Sequence, residues 1–340
     1  MENNISDLRK LKNEIGMNKK TKVLLVGGAG YIGGLTTDYL IRDGFDVTVY
    51  DNLLYEDRYL KPINFVYGDI RDTEFLYKNA LENDIIILYS SLVGDPACSV
   101  DPELTEDINY LAIKNFCDRL KAKKIDKFII FMSTCSVYGA QDGILNETSK
   151  TNPLSSYAST KLKAEEHIKD LNGCIFRLGT VFGLGDTYSR IRMDLVVNVL
   201  TMKAIKTGKI SINGGDQWRP IIAVKDIAEY VAEATKRKIR GTYVLSYKNV
   251  IIRELGEEVA RLIPGTKVEY KDISFQDARN YRVDNSKSLD TFNYKAKVSV
   301  EDEVLRMMKM FEEGRIKDGE DKVYSNGAFL KNKKELGIKY

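Results

Sequence analysis

The sequence has few of the residue types that bind metals or cross-link chains. Its 340 residues include one histidine and four cysteines. Because no two cysteines form a Cys-x-x-Cys pair, a Cys/His metal cluster cannot be built and we predict no metal site. Disulfides are disfavoured in a reducing cytoplasm. We therefore expect Cys98, Cys117, Cys135 and Cys174 to be small buried residues.

A strong charge of either sign and a long apolar run are also absent. Lys and Arg total 52 against 49 Asp and Glu, a net charge of +3, too balanced to favour nucleic acid or an anionic membrane. The longest apolar run, around 128–132, is far shorter than the ~20 residues that cross a bilayer. The lysine-rich N-terminus lacks the apolar block of a secretory signal. We expect a soluble cytoplasmic protein with no membrane or nucleic-acid partner.

From residue 22 onwards, short apolar strands alternate with helices. Strands are expected near 23–26, 47–50, 65–66, 84–89, 128–132 and 175–176. This alternation is typical of an α/β fold with a Rossmann-like, doubly wound parallel sheet and helices on both faces. After about residue 181 the pattern becomes less regular. Helices are expected there at 195–205, 226–235 and 255–262, and a loop at 214–220.

A glycine-rich turn follows the first expected strand. Gly27, Gly30 and Gly33 are spaced Gly-x-x-Gly-x-x-Gly between a strand and a helix. Glycine permits the tight turn and the close approach of a pyrophosphate, and the helix N-terminus supplies oriented N–H groups. Asp51 ends the second strand, where a carboxylate accepts hydrogen bonds from an adenosine ribose and repels a 2′-phosphate. The pattern predicts NAD rather than NADP as the cofactor.

Tyr157 and Lys161 are four residues apart, so on a helix their side chains share a face. Free tyrosine has a pKa near ~10 and is a poor base at neutral pH. A nearby ammonium and an oxidised nicotinamide would stabilise the phenolate, and Tyr157 could then take a proton from a substrate hydroxyl. Lys161 could also bond the nicotinamide ribose. The hydroxyl-rich stretch 133–139 follows the fifth strand, where parallel sheets bind ligands, and a hydroxyl there could bond the reacting oxygen.

Together these motifs resemble the extended short-chain dehydrogenase/reductases, in particular the NAD-dependent nucleotide-sugar epimerases and dehydratases. The similarity extends from about residue 22 to 310. It is carried by the stretches 27–33, 51–52, 68–72, 133–139, 153–161, 177–183, 218–226 and 277–279, and by Asn109.

The resemblance implies roles for particular residues. Tyr157 would be the general acid/base, Lys161 its partner and Thr134 the catalytic hydroxyl. The implied cofactor-binding residues are Gly27, Gly30, Tyr31, Ile32, Gly33, Asp51, Asn52, Asp69, Ile70, Tyr157 and Lys161.

The resemblance also implies a nucleotide-diphosphate sugar as substrate. Arg219 and Arg279 match positions that clamp the diphosphate, and a planar guanidinium suits this role because it pairs with phosphate oxygens bidentately. The alternative for both is a surface salt bridge. Arg190 and Arg192 are weaker candidates for phosphate or sugar contacts, and Thr134 would also contact the substrate.

We expect three parts in the chain and a homodimer in solution. Residues 1–20 would be a charged N-terminal appendage. Residues 21–180 would form the NAD-binding Rossmann domain. Residues 181–340 would form mainly a smaller C-terminal substrate-binding α/β region that packs on the first.

One departure from the family pattern bears on the reaction. In the 4,6-dehydratases an Asp-Glu pair follows the catalytic Thr, whereas this chain has Cys135 and Ser136. Neither supplies a suitable acid for elimination of water. The first hypothesis is therefore a nucleotide-sugar 4-epimerase. The alternative is a net 4-dehydrogenase or 4-ketoreductase that uses the same residues.

Overall fold

The structure is a computed structural model that describes residues 20–56, 58–271 and 280–338. The strands are β1 (Lys22–Val26), β2 (Asp46–Asp51), β3 (Asn64–Tyr67), β4 (Ile85–Leu88), β5 (Phe128–Thr134), β6 (Ala140–Leu145), β7 (Gly173–Leu178), β8 (Thr180–Phe182), β9 (Lys209–Asn213), β10 (Trp218–Ala223), β11 (Gly241–Leu245), β12 (Lys248–Ile251), β13 (Lys267–Lys271) and β14 (Asn280–Val283). The helices are α1 (Tyr31–Arg42), α2 (Thr73–Leu81), α3 (Asp95–Val100), α4 (Pro102–Glu106), α5 (Ala112–Ala122), α6 (Ser156–Lys169), α7 (Val196–Thr207), α8 (Val224–Arg237), α9 (Ile252–Leu262), α10 (Ser286–Phe292), α11 (Val300–Glu312) and α12 (Asn326–Glu335).

The central element is a seven-stranded sheet in the order β11-β7-β5-β4-β1-β2-β3. Every neighbouring pair in it is parallel. Its central strands β1 and β4 are short and almost continuously apolar, since both of their faces are covered. In β1, for example, Leu24 and Val26 belong to one hydrophobic core, whereas Val23 and Leu25 belong to the core on the opposite face.

Helices cover both faces of this sheet. Residues of α2, α5 and α6 pack in the first core, and residues of α1 and α8 pack in the second. The doubly wound α/β fold expected from the sequence is confirmed. The seventh strand, β11, comes from residues 241–245, beyond the expected domain boundary at 180, and the domain division stays a prediction.

A smaller group of elements covers the carboxyl edge of the sheet. Strands β12, β10 and β8 form a second sheet, and residues of α7, α9 and α11 share a core with it. The loop expected at 214–220 ends earlier than predicted, because Trp218 already pairs with Ile251 in an antiparallel ladder. The four cysteines are buried and unpaired, as expected.

The C-terminal segment, residues 322–338, consists of a short 3₁₀ turn and α12. Helix α12 packs on α3, so that a Cβ on Gly327 would lie 3.1 Å from Cβ of Pro96. Leu330 is buried in the first core. Of the helices within the described ranges, none combines the length and apolarity that crossing a membrane requires.

Candidate active site

The glycine turn lies between β1 and α1, and its geometry excludes side chains. Gly27 has a φ of +84°, and a Cβ there would lie 2.4 Å from the backbone nitrogen of Ser90. A Cβ on Gly33 would lie 2.7 Å from Cα of Gly28. Because both positions tolerate only glycine, the backbone stays open at the N-terminus of α1, where N–H groups favour an anion.

The turn opens into a cavity that we call the glycine-loop cavity. Nine residues proposed from the sequence line it together: Gly27, Gly30, Tyr31, Ile32, Gly33, Asp51, Asn52, Asp69 and Ile70. They come from the ends of β1 and β2, the start of α1 and the loop after β3. The cavity therefore follows the carboxyl edge of the sheet, where doubly wound folds bind dinucleotides.

Two carboxylates lie at one end of this cavity. Asp51 accepts hydrogen bonds from the backbone N–H of Leu53 at 2.8 Å and of Ala29 at 3.1 Å, while burial raises its pKa above the usual value. Asp69 is partly buried, but a bidentate contact with Arg71 and a hydrogen bond from Asn52 keep its pKa below the usual value. Asp51 at the strand end suits a ribose diol and would repel a 2′-phosphate.

A second cavity, which we call the tyrosine cavity, adjoins the first. Thr134, Tyr157 and Lys161 line it together, and Ile32, Val181 and Arg192 are among the residues that line both cavities. A dinucleotide in the first cavity can thus extend to the tyrosine. The two cavities together provide the space and the polar groups that NAD requires.

Helix α6 places Tyr157 and Lys161 on one face, as the spacing predicts. The Ser155 hydroxyl caps the helix by accepting from the Ala158 N–H at 3.2 Å. Lys161 is buried and donates to the Met132 carbonyl oxygen at 2.9 Å. Thr134, at the end of β5, interacts with the Tyr157 phenol and opposes the increase in its pKa.

Burial shifts the pKa values of both members of this pair in the protein alone. Burial raises the pKa of the Tyr157 phenol, and the nearby Cys98 and Asp95 add to the increase. Burial also lowers the pKa of Lys161 to about 7. In the protein alone, desolvation therefore outweighs the expected stabilisation of the phenolate by Lys161. A phenolate at Tyr157 requires additional positive charge, of the kind that an oxidised nicotinamide carries.

The arginines proposed for the substrate have separate positions. Arg219 is buried on β10 and lines the tyrosine cavity. Its guanidinium donates to the Trp218 carbonyl oxygen at 2.8 Å. Arg192 is also buried and pairs with Asp194 at 2.6 Å. Arg279 lies outside the described residues.

Sequence reasoning missed several polar residues of the tyrosine cavity. Asp95, Asp194, Asn213 and Asn326 all line it. They lie at the ends of elements or in irregular segments with no recognisable spacing. The buried side-chain oxygen of Asn213 has no hydrogen-bond partner in the described structure, which makes it available to a ligand in the cavity.

A dinucleotide cavity that adjoins a partly buried tyrosine, a buried lysine and a buried threonine is the arrangement of a nicotinamide-dependent oxidoreductase. The model of the NAD-dependent epimerase/dehydratase family matches residues 23–245. The chain belongs to this family, and NAD is its cofactor. The family resemblance and the cofactor predicted from the sequence are thereby confirmed.

Proteins similar to this chain differ in their reactions. The chain is 26% identical over 267 residues to a UDP-glucose 4-epimerase of Streptomyces lividans, which covers 71% of this chain and 80% of that protein. A UDP-glucose 4-epimerase of Thermus thermophilus in complex with NAD has the same fold, with a TM-score of 0.73 and 23% identity over 86% of this chain and 99% of that one. The NDP-hexosamine 5,6-dehydratase TunA has a TM-score of 0.76 and 19% identity over 88% of this chain and 100% of that one.

Proposed function

We propose that the protein is an NAD-dependent nucleotide-sugar 4-epimerase. The observation that carries the proposal is that Thr134, Tyr157 and Lys161 line one cavity together, and that this cavity shares wall residues with the glycine-loop cavity. A substrate hydroxyl beside Tyr157 would there face the nicotinamide end of a bound dinucleotide. The similarity to the Streptomyces lividans UDP-glucose 4-epimerase supports the same reaction class.

The side chains would act on the proton of the sugar 4-hydroxyl. Tyr157 takes this proton and later returns it, while the Thr134 hydroxyl holds the reacting oxygen by a hydrogen bond. Lys161 stays fixed on the Met132 carbonyl and contributes positive charge beside the phenol when it is protonated. NAD held in the glycine-loop cavity would supply a reversible hydride acceptor for C4. Epimerisation would follow if the hydride returned to the opposite face of the sugar.

Arg219 and Arg192 would bind the substrate diphosphate from the tyrosine cavity. Both are buried there, and a buried guanidinium pairs favourably with phosphate oxygens. Arg279 stays a prediction for the same role.

The residues after Thr134 argue against a 4,6-dehydratase. Cys135 is absent from the cavity lining, its thiol contacts the Arg177 carbonyl at 3.3 Å, and burial raises its pKa. Ser136 lines the cavity but does not ionise usefully. Asp95 and Asp194 supply carboxylates from other elements, which makes the identity of the product the decisive measurement. The alternative is a net 4-dehydrogenase or 4-ketoreductase.

The proposal is tested by incubating the NAD-loaded protein with UDP-glucose and UDP-N-acetylglucosamine and following C4 configuration by NMR. A 4-epimerase yields the C4 epimer from each accepted sugar and reaches the same mixture from either side. Tyr157→Phe is the control for contaminating activity. Accumulation of a 4-keto sugar with stoichiometric NADH would support the alternative instead, and no reaction with a panel of nucleotide sugars would contradict both.

A further inference from the structure

Arg190 lies in the wall of the glycine-loop cavity and has no role in the proposed reaction. Unlike Arg192, it does not line the tyrosine cavity. Its guanidinium donates to two neutral oxygens, the carbonyl of Val323 and the side-chain oxygen of Asn326. It also lies over the ring of Tyr55, 4.2 Å from the centroid. Within the described residues, no carboxylate forms a salt bridge with it.

Among the residues that the structure describes, the charge of Arg190 is only partly compensated. Burial and the neighbouring Arg192 lower its pKa to about 10. The nearby acidic groups are Asp194 and Glu56, but Asp194 already pairs with Arg192 at 2.6 Å. A partly desolvated cation in such a position is costly unless an anion approaches it.

Tyr55 gives a second indication that a ligand binds against this wall of the glycine-loop cavity. Its ring lines the glycine-loop cavity and packs against Phe329 with centroids 5.3 Å apart. Its buried hydroxyl has no hydrogen-bond partner in the described structure. Buried hydroxyls in folded proteins are rarely unpaired, so this donor is available to a ligand in the same cavity.

The C-terminal segment holds this wall in place. Asn326 donates to the Val93 carbonyl at 3.0 Å, and its backbone N–H donates to Asp194 at 2.8 Å. Lys333 donates to the Leu54 carbonyl at 2.8 Å. The segment thus connects the loops after β2, β4 and β8, all of which contribute to the cavity.

We propose that Arg190, held by Asn326 and Val323 of the C-terminal segment, is a further cofactor-binding residue that pairs with the diphosphate of the dinucleotide. The anion is assigned to the cofactor rather than to the substrate, because Arg190 shares its cavity with the glycine turn and does not reach the tyrosine cavity lining. The inference goes beyond the proposed function and depends only on NAD as the cofactor.

The test measures binding by nucleotide-stripped protein, using calorimetry with NAD, ADP-ribose and UDP. Arg190→Gln should weaken the binding of NAD and of ADP-ribose by a similar factor of about 10–100, because one charged hydrogen-bonded contact is lost. UDP affinity should change less than about twofold. Asn326→Ala should also weaken NAD binding, but by a smaller factor. Arg42→Gln, the same change at an exposed arginine on α1, should alter none of the three affinities.

Thermal unfolding separates a ligand contact from a structural role. If Arg190 contacts the bound dinucleotide, Arg190→Gln should leave the melting temperature of the nucleotide-stripped protein nearly unchanged. It should reduce the increase in melting temperature that NAD produces. A lower melting temperature with an undiminished NAD-induced increase would overturn the proposal. So would unchanged NAD affinity, or a loss confined to UDP. If Arg190→Gln does not fold, Arg190→Lys decides by the same criteria, because it keeps the charge but removes the planar fork.

Discussion

The side-chain ammonium of Lys161 donates a hydrogen bond to the carbonyl oxygen of Met132 at 2.9 Å. This contact joins α6 to β5 two residues before Thr134. The lysine, the threonine and the tyrosine are therefore held by one strand and one helix, and their relative positions do not depend on a loop. The same burial that fixes Lys161 lowers its pKa to about 7.

The first prediction concerns pH and the stability of the nucleotide-free protein. Because the pKa of Lys161 is lower in the folded chain than its ordinary value of ~10.4, the unfolded chain binds more protons between about pH 7 and 10. Lys161 therefore destabilises the fold most at pH 7 and below, and this cost declines as the pH rises through that window. Lys161→Met should raise the free energy of unfolding most near pH 7 and progressively less towards pH 10.

Urea unfolding at several pH values measures this effect. Lys163→Met, the same change at an exposed site on α6, serves as the control and should show no such trend. A difference between Lys161→Met and the native chain that stays constant from pH 7 to 10 would contradict the lowered pKa.

The second prediction concerns Tyr157. Tyr157→Phe removes the group that moves the proton but keeps the ring that lines the tyrosine cavity. General acid–base catalysis typically contributes about 10²–10⁴-fold, so kcat should fall by that factor while nucleotide-sugar affinity stays similar. Steady-state kinetics and calorimetry together check this, and an unchanged kcat would show that another group moves the proton.

The third prediction is a preference for NAD over NADP that depends on Asp51. Its carboxylate is half-buried and already accepts two backbone hydrogen bonds, so it cannot turn away from a 2′-phosphate without losing them. Fluorescence titration should show tighter binding of NAD. Asp51→Ser should narrow the difference, mainly through better NADP binding, since the repulsion is removed. Equal affinities of the native chain for NAD and NADP would refute this role of Asp51.

The fourth prediction is that Arg219 contributes to binding of the substrate but not of NAD. Arg219→Gln should weaken UDP-sugar binding by about 10–100-fold, because a charged contact to the diphosphate is lost. NAD affinity should stay within about twofold, since Arg219 does not line the glycine-loop cavity. Arg253→Gln, at an exposed arginine on α9, provides the matched control. A parallel loss of both affinities would show that Arg219 has a structural role.

The features that the sequence predicts well are formed by residues that lie close together in the chain. The turn at Gly27 and Gly33 and the strand that ends at Asp51 follow from neighbouring residues, because a strand, a turn and a helix form the cofactor site almost in sequence order. The spacing of Tyr157 and Lys161 is equally local. Sequence spacing gives no estimate of desolvation, so it could not predict that burial raises the pKa of the Tyr157 phenol in the protein alone.

What the sequence does not predict depends on tertiary contacts. Asp95, Asp194 and Asn326 reach the tyrosine cavity from three separate parts of the chain, and no local pattern relates them. Residues 314–340 are charged and weakly patterned, yet α12 covers α3 and helps to form the cavity walls. Its packing depends on residues such as Leu330, which enters a core built by distant strands.

The last prediction concerns the product. Elimination of water requires an acid to protonate the departing C6 hydroxyl and a base to remove the C5 proton, and neither Cys135 nor Ser136 supplies one. Incubation with nucleotide hexoses should therefore yield a product that retains its 6-hydroxyl. Mass spectrometry decides this, because epimerisation leaves the mass unchanged and dehydration removes one water. A product lighter by one water would contradict the epimerase proposal, and Asp95→Asn and Asp194→Asn would then identify which of the two cavity carboxylates takes part.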